Sequence, residues 1–79
     1  MNSQHRAIRA RIAGMTPLRA VEYVESFGLP EEEAAVLIFC VVRKKSQLEA
    51  ASAHKMSVET VKERCHAAYS KIADHYNNV

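Results

Sequence analysis

The chain has 79 residues, 48% of them apolar and 25% charged, with two Gly, two Pro and no Trp. That suffices for one hydrophobic core and excludes a second, and it is not the composition of a disordered or low-complexity chain. The net charge of +2 does not by itself point to nucleic acid, but residues 1–20 sum to +4, residues 21–40 to −5 and residues 41–79 to +3, so basic ends flank an acidic middle.

Ser3 is expected to cap a first helix whose Ile8 and Ile12 share a face and which Gly14 ends. Thr16-Pro17 is a start signal, with Thr as cap and Pro at the first helical position. Leu18, Val21, Val24 and Phe27 then form the expected apolar stripe, and Gly28 the stop. Pro30 followed by Glu31, Glu32 and Glu33 opens a third helix, with carboxylates at the positive end of its dipole. Ala34 to Val42 are all apolar, and four of them are β-branched, which raises a buried strand as an alternative. The Pro-plus-acid start and the lack of a partner strand favour a central helix buried on more than one side, with Arg43, Lys44 and Lys45 at its C-terminal end.

Ser46-Gln47-Leu48-Glu49 matches the S-x-x-E capping box and begins a short fourth helix, rich in alanine. His54-Lys55-Met56 forms a turn, and Ser57 caps a fifth helix reaching about Tyr76, with Asn77-Asn78 as a fraying end. Val61, Cys65, Ala68, Tyr69 and Ile72 make its apolar stripe, and Val58, Glu59, Lys62, Glu63 and His66 lie off it. The expected architecture is all-α, about five helices in one compact bundle.

Capping box, Ala-rich helix, brief turn, Ser cap and the run Thr60-Val61-Lys62 with Arg64 together resemble region four of bacterial sigma factors. The helix-turn-helix effector domains of response regulators and quorum-sensing proteins are similar. The resemblance begins at Leu29-Pro30-Glu31-Glu32-Glu33 with Val36-Leu37 and ends near Lys71-Ile72. It implies one domain, 1–79, in which 29–76 is the sigma region four-like unit and 1–28 a helical extension. Two positions depart from the family: Lys55 stands where Gly is common, and His54 where a buried Leu is usual. A left-handed Lys55 costs on the order of 1 kcal/mol, so the departures imply either a differently shaped turn or a core filled by the extra N-terminal helices. The melting region of complete sigma factors has no counterpart here, which implies a free-standing small regulator of the kind phages or mobile elements carry.

The resemblance makes the fifth helix a recognition helix in the major groove of double-stranded DNA. Val58 would touch a thymine methyl, and Glu59 or Glu63 would accept from a cytosine amino group. Lys62 would meet phosphate or guanine, and His66 lies on the same outward face. Ser57 caps that helix, while Thr60 either donates to a phosphate or completes the cap. Arg64 either binds phosphate or lies back on Glu33. Arg43, Lys44, Lys45, Lys55 and the amides beside Ser46 would meet the DNA backbone. The competing reading is a solvated helix face, with Glu59 and Glu63 opposed and Lys62 free.

RNA polymerase is a second expected partner by resemblance, and a homodimer through Ile8, Ile12, Val24 or Tyr76 a third. Cys40 and Cys65 lack a C-x-x-C spacing and read as buried reduced thiols. His5, His54, His66 and His75 make no metal-ligand spacing with them, so neither a metal, another cofactor nor an enzyme is expected. No signal peptide precedes them and the 34–42 run is too short to span a bilayer, so a cytoplasmic chain without a membrane partner is expected.

Overall fold

The computed structural model describes residues 2–78, and these are all-α. In chain order they form α1 (Ser3–Ala13), α2 (Pro17–Glu25), α3 (Glu31–Leu37), a π-helical segment (Ile38–Val42), α4 (Gln47–Ala53) and α5 (Val58–Asn77). Asn2, and not Ser3, caps α1: its side-chain oxygen accepts from the His5 amide at 2.7 Å. Asn and Ser are equally good caps, so local sequence does not separate them. The start of α2 falls where expected, yet the Thr16 side chain makes no cap bond; its carbonyl accepts from Ala20 N at 2.8 Å.

The buried face of α2 also differs from the expected stripe. Ala20 and Val24 are buried and Tyr23 and Phe27 half-buried, whereas Leu18 is 73% exposed. Turning the helix this way brings two aromatic rings onto the end of α5, a larger apolar area than Leu18 offers. Phe27 meets the His75 ring edge-on at 5.2 Å and the Tyr23 ring at 5.0 Å. Gly28, at φ +63, then turns the chain toward α3 in a conformation that suits only glycine well.

From Glu33 to Val42 no residue is exposed. An all-apolar helix must find partners on every side, and this one does: α3 packs on α5, while the π segment packs on α1 and α2. The helix is widened rather than ended after Leu37, with Arg43 N donating to Ile38 O at 3.0 Å, five residues back. The widened segment is packed by α1, α2 and α4, and a single π turn of this kind is a rare feature inside an α-helix.

Both Ser46 and Ser57 cap as expected, accepting from Glu49 N at 3.0 Å and Thr60 N at 3.1 Å. Between them the turn keeps a regular shape despite Lys55, which sets aside the first of the two expected alternatives, a differently shaped turn. Lys55 sits at φ 54, Met56 N donates to Ala51 O at 2.9 Å and Lys55 N to Ser52 O at 3.4 Å, the bond pair of a Schellman motif. His54 fills the usual Leu position by setting its ring edge-on to Phe39 at 5.2 Å, with its Nδ1 donating to Ala50 O at 3.0 Å. Backbone geometry therefore prevails over the side-chain preference of Lys55. Lys55→Gly should stabilise the chain by about 0.5–1 kcal/mol and raise Tm by about 2–8 °C; an unchanged melting curve would show that the backbone is unstrained there.

Ile12, Val24, Val36, Leu37, Val61 and Ile72 are the largest side chains fully buried, and they belong to one cluster. Ile8 and Ile12 of α1 and Ala20 and Val24 of α2 thus belong to the same core as the helices after residue 28. The far end of α5 is tied down as well. Gln4 donates to Asn77 at 3.1 Å, Arg11 donates to the Tyr76 hydroxyl at 3.1 Å, and Tyr76 shares a hydrogen bond with Tyr23.

Candidate nucleic-acid interface

The candidate interface is built on α5, whose Val61, Cys65, Ala68, Tyr69 and Ile72 are all buried. That stripe sets which side chains remain outside. Glu59, Lys62 and Glu63 project into solvent, and Lys62 Nζ lies 3.9 Å from Glu59 Oε1. Lys62 is therefore paired, not free, although so solvated a pair holds it only weakly. Val58 is half-buried against the core and offers only part of its surface outward.

Several expected contact residues have internal partners. The Thr60 hydroxyl lies 2.9 Å from Ser57 Oγ and completes the cap. Arg64, expected on phosphate or on Glu33, pairs with Glu32, whose carboxylate raises its pKa above the ordinary value. Glu33 instead holds Lys71, both carboxylate oxygens lying 2.9 Å from Nζ. Glu32 and Glu33, adjacent in the first turn of α3, thus reach Arg64 and Lys71, which lie seven residues or two turns apart on α5. His66 is exposed but turned toward α1, its ring 4.9 Å from that of His5. Ser46 has its hydroxyl engaged in the cap of α4, and Lys55 is exposed in the turn.

No family model, curated protein or solved structure matches the chain. Its chemistry is carried by these side chains alone. Among the described residues no three His, Cys, Asp or Glu come together to hold a metal ion, and no helix is long and apolar enough to cross a membrane. Ile8, Ile12 and Val24, expected as a face for a second copy, are buried in the chain's own core, and Tyr76 is engaged by Arg11 and Tyr23.

Among the described residues His5 is the one buried polar or charged side chain, 4% exposed, and it was not expected inside. Its spacing of three and seven residues from Ile8 and Ile12 is the signal that it shares their face. Burial, then the charge of nearby His66, lowers its pKa below the usual 6.5. The ring also faces Tyr69 at 5.5 Å and the Ser70 hydroxyl at 3.5 Å. Because the folded state holds this histidine neutral, its contribution is complete above the unfolded value and declines as pH falls through the folded one. Urea titrations at pH 7.5 and pH 5 should therefore show lower stability in acid, and the difference should shrink in His5→Gln. An equal loss in that variant would assign the effect to other groups.

Cys40 and Cys65 are both free thiols and line one recess, Cys40 half-buried in the π segment and Cys65 buried on α5. Burial pushes the Cys65 thiol up to about 12.

Proposed function

We propose that this chain is a sequence-specific regulator of transcription that places the start of α5 in the major groove of double-stranded DNA. The unit from Ser46 to Lys62 supports it: a capped short helix, a Schellman turn through Lys55 and a capped long helix. A helix held on one side, with its outward first turns carrying Glu59, Lys62 and Glu63, has the side chains that base edges and phosphates accept. The ordered likeness to sigma region four adds to this reading. Lys62 is the sole outward cation of the first two turns of α5, since Arg64 is held by Glu32.

The test is selection of binding sites from random duplex DNA. One motif should be enriched, and affinity for it should fall linearly with the logarithm of salt concentration. Two acids beside one base on the outward face favour a second reading, a protein partner such as RNA polymerase or a sigma factor. Retention of the chain on polymerase, with no duplex enriched at low salt, would replace the first reading with the second.

A further inference from the structure

Arg9 lies on α1, outside the stretch that resembles a DNA-reading unit. Its side chain lines an open groove together with Lys44, Lys45 and Ser46, over Cys40 and Val41. An adjoining recess joins Arg9 and Lys45 to Cys65 and Tyr69 of α5. Three cations from two separate parts of the chain thus meet at one place, and Glu49 is the single acid on its border. The recess thus reaches α5 itself, at the buried stripe whose Cys65 lies one turn beyond the exposed Lys62. Lys44 is held there at φ 57, left-handed backbone that disfavours a lysine and that the surrounding structure must impose.

We propose that this groove is a seat for the sugar-phosphate backbone of duplex DNA, with Arg9 of α1 and Lys44 and Lys45 neutralising phosphates beside the major groove that α5 enters. The inference rests on the DNA-binding reading and adds to it a role for the N-terminal helix. Cations that approach phosphates contribute affinity and salt dependence but no sequence preference. Arg9 suits this use because its planar guanidinium matches phosphate oxygens in pairs.

The experiment is titration of the full chain, by fluorescence anisotropy over a range of salt concentrations, against a selected duplex and a scrambled one. Arg9→Gln and Lys45→Gln, each confirmed as folded by circular dichroism, should weaken binding to both duplexes equally, by about 3- to 10-fold, and reduce the salt slope by about 1. The ratio between the two duplexes should stay at the wild-type value. Should Arg9→Gln fail to fold, Lys45→Gln decides, since Lys45 is exposed and follows the π segment. Wild-type affinity and slope in the folded variants would overturn the seat while leaving DNA binding intact. A changed ratio between duplexes would overturn it too, by assigning these residues to bases. Absence of binding by the wild-type chain to either duplex at low salt would remove both proposals.

Discussion

Ile12→Ala is expected to destabilise the chain by about 2–5 kcal/mol, since it removes buried methyl groups from a site that cannot fully collapse. Ile12 is 1% exposed on α1 and belongs to the same cluster as Leu37, Val61 and Ile72. For a domain of this size the loss is a large fraction of total stability and lowers Tm by more than about 10 °C. Leu18→Ala, at a side chain 73% exposed, should change stability by no more than about 0.5 kcal/mol. Urea unfolding of both variants, with wild-type m-values, measures the contrast. If Ile12→Ala instead melts α1 alone and leaves the α4–α5 unit at its original midpoint, the N-terminal helices do not share one cooperative core. The expected outcome means that the α4–α5 unit does not stand without the two N-terminal helices.

The second large effect concerns Lys62. Charge reversal, Lys62→Glu, puts three acids on the outward start of α5 and should weaken binding to every duplex at least about ten-fold, with a salt slope smaller by 1 to 2. Folding should be unaffected, because Lys62 is exposed and its contact with Glu59 is a solvated one. Anisotropy titrations read the affinity, and thermal melts verify the fold. Unchanged affinity in a protein that binds DNA would move the contact surface away from this face of α5.

What the sequence made legible was what short-range chemistry decides. Ser46 and Ser57 read as caps because the groups they satisfy lie three residues on. The stripe of α5 read correctly because its period does not depend on which partners cover it. Where long-range packing decides, the sequence was silent or misleading. Leu18 fits a helical stripe as well as Tyr23 does, and only the docking of Phe27 and Tyr23 on the end of α5 turns it outward. The π segment after Leu37 is packed by α1, α2 and α4, which no local pattern records. Arg64 was expected against phosphate or Glu33, yet the relative slide of α3 and α5 gives it Glu32. At the candidate interface, Glu59, Lys62 and Glu63 lie outward as expected, whereas Thr60, Arg64 and His66 are drawn to internal partners. Arg9 was missed because its neighbours Lys44 and Lys45 are far away in sequence and adjoin it only once α1 has docked.

The two thiols have a consequence for how motion in this fold is observed. With Cys65 8% exposed and burial pushing its thiol up to about 12, it is the less reactive of the two cysteines, since Cys40 is only half-buried. In Cys40→Ser, where Cys65 is the single thiol, a thiol-specific dye should react slowly in the packed chain and faster in molecules whose α5 has loosened. The labelling rate, set against that of an unfolded chain, is a clock for that loosening, and it reads the local opening energy of the helix that would enter DNA.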